Sequence, residues 1–118
     1  MERALLVGVN LNDGEDYQAS LEELGALAEA CDMEVTATVE QTLEQVHKAF
    51  YIGTGKVEEV KELAEEYDID VIIFDNSLSP MQIRNLQERL DKPIQDRSTL
   101  ILDIFARRAR TREAKLQV

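Results

Sequence analysis

Arg107, Arg108, Arg110, Arg112 and Lys115 crowd the C-terminal stretch of the chain. Arg108, Arg112 and Lys115 stand at i, i+4 and i+7, a spacing that shares one helical face, with Arg107 and Arg110 beside them. Guanidinium groups fork onto phosphate oxygens in pairs, so this face has the chemistry to hold an RNA backbone. Arg97, near the start of the same helical pattern, is a further candidate. The competing reading is a solvated helix end, where cations oppose the C-terminal dipole and Asp103 and Glu113 take up Arg107 and Arg110.

A second candidate is Gly53-Thr54-Gly55-Lys56. It fails as a nucleotide phosphate loop, because Phe50 stands where the first glycine is needed and Val57 where a magnesium-binding Ser or Thr is needed. What survives is either a weak anion cradle made of Gly53, Gly55 and Lys56 or a plain turn that opens a helix. Asp75 ends an apolar run and invites comparison with a phospho-acceptor, but Asn10 and Asp13 make a poor acidic pair for the magnesium such a site needs. Asp75-Asn76-Ser77 reads better as turn chemistry. His47 is the single histidine and Cys31 the single cysteine. They leave no ligand set for a metal and no nucleophile–base pair, so no catalytic residue is assigned. Cys31 falls on an apolar helical stripe and is expected to be buried.

These residues need elements to position them. Ala4-Leu5-Leu6-Val7-Gly8-Val9 and Val71-Ile72-Ile73-Phe74 are continuous apolar runs, as in strands covered on both faces. Val35, Ala37 and Val39 alternate with polar residues, which predicts an edge strand with one wet face. Pro93-Ile94-Gln95 is a short edge strand. Tyr17, Leu21, Leu24, Ala28 and Cys31 recur at helical spacing, as do Val57, Val60, Leu63, Ala64 and Tyr67 in a helix starting near Lys56. Residues 41–53 are open between a short helix, an ordered loop and a strand extension. Leu78-Ser79-Pro80-Met81-Gln82-Ile83 is a full helix start, with Ser79 as N-cap, Pro80 in the first turn and Gln82 completing a capping box. Ser98 or Thr99 is expected to cap the last helix, with Leu100, Ile101, Leu102, Ile104, Phe105 and Ala106 buried. That helical pattern reaches Val118 without a stop signal, which reads as a chain that continues.

Strand and helix alternate four times. The expectation is an α/β fold: a four-stranded parallel sheet, order 2-1-3-4, with helices on both faces. Its switch point lies between strands 1 and 3, and Asn10, Asp13, Asp75 and Asn76 would line the crevice there. The expected organisation is an α/β core over residues 1–97 and a last helix over 98–118.

The 118 residues suit one domain, and the hydrophobic fraction of 44% excludes a disordered chain. No apolar run approaches the length of a membrane span, and no secretory signal is present. A cytoplasmic protein is expected. The net charge of −11 is uneven. Residues 1–92 carry 21 acids and 7 bases, whereas residues 93–118 carry 3 acids and 6 bases. A body this acidic repels nucleic acid, so any contact with RNA must be local to the C-terminal helix.

Three blocks carry a family likeness: Tyr51-Ile52-Gly53-Thr54-Gly55-Lys56-Val57-Glu58-Glu59; Leu78-Ser79-Pro80-Met81-Gln82-Ile83-Arg84-Asn85-Leu86; and Asp96-Arg97-Ser98-Thr99-Leu100-Ile101-Leu102-Asp103-Ile104-Phe105-Ala106-Arg107-Arg108-Ala109-Arg110-Thr111-Arg112, continuing to Val118. Together they closely resemble the N-terminal domain of the bacterial HflX GTPases. Thr54 and Ser98 are mild departures, and residues 1–50 match in pattern only. The resemblance implies a ribosome-associated GTP-binding protein that engages the large ribosomal subunit, its RNA and its proteins. It also implies a GTPase domain, with GTP and magnesium, beyond Val118, which this domain would restrain or position. The chain itself is then expected to hydrolyse no GTP. The alternative is a receiver-like module that binds a protein or small ligand in the strand 1/strand 3 crevice.

Overall fold

The computed structural model describes residues 1–12, 14 and 16–116, with side chains through Arg108. Four strands and four helices alternate: β1 (Glu2–Asn10), α1 (Tyr17–Ala30), β2 (Met33–Thr42), α2 (Thr54–Glu66), β3 (Val71–Phe74), α3 (Pro80–Leu90), β4 (Ile94–Asp96) and α4 (Arg97–Leu116). The sheet is parallel throughout, in the order β2-β1-β3-β4. This is the order expected from two doubly buried strands flanked by two edge strands.

The period of two divides each central strand between two cores. Leu5, Val7, Ile72 and Phe74 face α2 and α3, where Val57, Val60, Leu86 and Leu90 cover them. Ala4, Leu6, Val71 and Ile73 face α1 and α4, packed by Leu21, Leu24, Ala28, Cys31 and Leu100. Both faces are dry, so both strands had to be apolar without interruption.

β2 departs from the alternation read in the sequence. Ala4 pairs with Val35 and Leu5 with Ala37, so Thr36 is an extra residue in a β-bulge. The bulge turns the strand over. Met33 and Val35 pack on the α1 side, whereas Ala37 and Val39 pack on the α2 and α3 side. Val35, Ala37 and Val39 therefore do not share one face.

The segment after β2 is an ordered loop. His47 and Tyr51 exchange backbone hydrogen bonds of 3.0 and 2.8 Å. The His47 Nδ1 accepts the N–H groups of Ala49 and Phe50. From α3, Gln82 Nε2 donates to the carbonyls of His47 and Lys48, and Asn85 Nδ2 to that of Ala49. The capping box at α3 forms as expected, between Ser79 and Gln82.

Several boundaries differ from the sequence reading. α2 starts at Thr54 with Gly53 as its N-cap, and Tyr67 is its exposed C-cap residue instead of part of the apolar stripe. The cap of α4 is Asp96, not Ser98 or Thr99. Its Oδ1 accepts the Thr99 N–H at 2.9 Å, and Thr99 Oγ1 accepts the Asp96 N–H at 3.0 Å. Leu102 and Phe105 are 66% and 60% exposed, and Ala106 is exposed too, so α4 is anchored mainly by Leu100. The sheet is too narrow to receive more than one stripe of α4. No helix among the described residues is long and apolar enough to cross a membrane.

Candidate nucleic-acid interface and the adjoining crevice

α4 leaves the sheet directly after β4, so its first residue lies beside the carboxyl ends of β1 and β3. Arg97 uses that position inward. Its Nε and Nη2 donate to Asp75 Oδ1 at 3.0 and 2.8 Å. Nη1 reaches Glu23 at 2.9 Å, and Nη2 also donates to the carbonyl and hydroxyl of Ser20. One guanidinium thus ties α4 to the end of β3 and to α1. Burial opposes the Arg97 charge, but hydrogen bonds and attraction from Asp75, then Glu23, prevail and raise its pKa. The Asp75 side chain is 7% exposed and the Arg97 side chain 22%.

The crevice residues are therefore not all brought together. Asp75 is covered by Arg97. The Asn10 Oδ1 accepts the Asn12 N–H in a local turn. Asn76 sits half-buried after β3. Asp13 lies outside the described residues.

Asp96, which carries no site signal in the sequence, organises the same corner. Its Oδ2 accepts the Leu78 N–H at 2.9 Å, which fixes the approach to α3, while Oδ1 caps α4. Burial opposes ionisation, but N–H donation from Leu78 and hydrogen bonds from Thr99 outweigh it and lower the pKa. The available signal was Asp followed three residues later by Thr, a capping spacing.

The glycine-rich turn is committed to structure. The Gly53 N–H donates to Gln41 Oε1 at 3.0 Å, and the Gly53 carbonyl accepts from Val57. Lys56 pairs with Glu59 at 2.6 Å. Gly55 is exposed with open space around it. These residues do not fit a nucleotide phosphate cradle, since one N–H and the lysine already have partners. No group of three His, Cys, Asp or Glu among the described residues could hold a metal ion.

The cation cluster divides. Arg107 donates to Asp103 at 3.2 Å and to Asp32 at 3.5 Å, and Asp103 raises its pKa. Arg108 is exposed one position further on. The helix backbone continues to Leu116, but the side chains of Arg110, Arg112 and Lys115 lie outside the described ones. Cys31 is buried next to Asp103, and burial first, then Asp103, pushes its thiol up.

Residues 18–106 match the family model described as GTP-binding GTPase N-terminal. The chain is 45% identical over 99% of its length to the GTPase HflX of Lacrimispora saccharolytica and 37% identical over 99% to that of Escherichia coli. It spans 28% and 27% of those relatives. Among solved structures, it resembles SsGBP with GDP at a TM-score of 0.68 and 27% identity, covering 90% of this chain and 29% of that one. A GTP-binding protein of Sulfolobus solfataricus with GDP matches at 0.65 and 27%, over 90% of this chain and 30% of that one. A likeness to a serine recombinase catalytic domain, at 0.53 and 15% identity, shows the fold alone. A family match over most of the chain, with HflX relatives 37–45% identical along nearly all of it, establishes that the chain belongs to the GTP-binding GTPase N-terminal family, as an HflX N-terminal domain.

Proposed function

We propose that this domain docks an HflX-type GTP-binding protein onto the large ribosomal subunit and positions its GTPase domain. The observation that supports this is the contrast between an acidic body and a basic α4. At a rise of ~1.5 Å per residue, the 20 residues of α4 extend about 30 Å. Leu100 anchors one end, and Arg108, Arg110, Arg112 and Lys115 populate the other. An RNA backbone would meet cations there and repulsion elsewhere. Arg97 and Arg107 contribute less, since carboxylates already hold both. Gly53 and Lys56 are weak anion candidates, since Gln41 and Glu59 already engage them, and Gly55 offers a backbone N–H alone.

GTP and magnesium belong, on this reading, to the GTPase domain of the longer protein, and this chain alone hydrolyses no nucleotide. The crevice module is the less favoured reading, because Arg97 fills the position a ligand of Asp75 would take. The test is sedimentation with purified large ribosomal subunits at two salt concentrations. Arg108→Glu with Arg112→Glu is expected to reduce pelleting and flatten its salt dependence, because fewer counterions are released. Unchanged pelleting and slope, with normal circular dichroism, would make α4 a solvated connector.

A further inference from the structure

The bulge at Thr36 has an effect at the β2 edge of the sheet, on the face that α1 and α4 cover. By turning β2 over, it aims Thr38 and Glu40 toward α1 instead of burying apolar residues there. An open groove of about 640 Å³ results between α1 and β2. Its floor is Leu6, Leu21 and Val35, and its helix wall is low at Gly25. Glu22, Glu29 and Glu40 ring it, all exposed and none in an ion pair among the described residues. Beside the groove runs the outer edge of β2, which no other strand covers. At ten residues this edge is far longer than the three-residue edge strand β4.

The geometry points to a docking site for an extended, basic segment of a partner protein. Such a segment adds as a strand along β2, lays an apolar side chain over Gly25, and sets its cations against Glu22, Glu29 and Glu40. Strand addition supplies main-chain hydrogen bonds, and alternate side chains reach the groove because successive residues point to opposite faces. The charge selects the occupant. RNA is repelled by the three glutamates. A second copy of this chain would bring like charges, Glu34 and Glu40, to the shared edge, which together with a bulge is how edge strands avoid self-pairing. A cationic segment faces neither obstacle. This site is independent of the α4 reading and can stand or fall without it.

The probe is a short blocked peptide with lysine, valine and lysine at every second position and threonine between them, so that the apolar and cationic side chains share the groove-facing side; it is titrated into the isotope-labelled chain while amide shifts are recorded. A glycine–lysine peptide of equal charge is the control. We expect shifts confined to β2 and α1, a dissociation constant below about 1 mM, and binding at least tenfold weaker for the control. A Cβ at Gly25 would meet only Leu6 Cδ1, at 3.7 Å, so Gly25→Leu is accommodated by the fold and fills the groove. It should weaken binding at least tenfold, and Glu22→Lys with Glu29→Lys should do the same. Equal binding of both peptides, shifts located elsewhere, no shifts, or wild-type affinity in the folded Gly25→Leu variant would overturn the site. So would concentration-dependent shifts at β2 without peptide, which would assign the edge to a second copy.

Discussion

Arg97 and Arg108 lie on one helix, three turns apart, and the molecule uses them in opposite ways. Arg97 is withdrawn into a corner where Asp75, Glu23 and the Ser20 backbone and hydroxyl satisfy it. Arg108 is exposed to solvent. The same division separates Leu100, fully buried, from Leu102, 66% exposed. The difference teaches that charge and hydropathy along α4 do not report use. What reports it is where each side chain lies: the face of the helix separates Leu100 and Ile104, on the core, from Leu102 and Phe105, in solvent, and distance along the helix separates Arg97 from Arg108.

Truncating the two leucines should break this comparison most visibly. Leu100→Ala is expected to cost ~2–5 kcal/mol, because it removes the main anchor of α4 from a dry core. Leu102→Ala should stay within about 0.5 kcal/mol, as at other exposed positions. Denaturant melts check both, and equal losses would mean that α4 packs through a different face.

The arginines give the next largest contrast. Arg97→Met leaves Asp75 nearly buried without its partner, at an expected cost of about 2–4 kcal/mol. Adding Asp75→Asn should recover part of that loss, since the uncompensated charge is removed. Arg108→Met should leave the thermal midpoint unchanged.

A smaller effect, on pH, tests Asp96. Its folded pKa lies below the unfolded value of 3.8. Its stabilisation is therefore present in full above that value and is lost as the pH falls through the folded pKa. Acid titration of stability should show a loss beginning near pH 4, and Asp96→Asn should be less stable at neutral pH but lose less between neutral and acid.

Strand–helix alternation, the sheet order and the capping box at Ser79 were legible because each rests on residues near one another in the chain. Apolar runs at 4–9 and 71–74 need no distant partner to announce burial on both faces. Membership in the GTPase family was likewise legible, in the blocks around Gly53, Ser79 and Asp96. The uses of particular side chains were not. Arg97 meets Ser20 and Glu23 only after four strands and three helices have been laid down, so no local spacing could separate it from the other cations.

Sequence alone determined the order of elements, since periodicity and caps are local properties of the chain. Tertiary structure decided which residues face water. A single extra residue at Thr36 reverses every later side chain of β2, because a strand has a period of two and the partner strand sets where the count restarts. The packing of α4 likewise decided that Leu100 would be buried and Phe105 exposed, since the sheet and α1 receive only the helix stripe through Leu100 and Ile104.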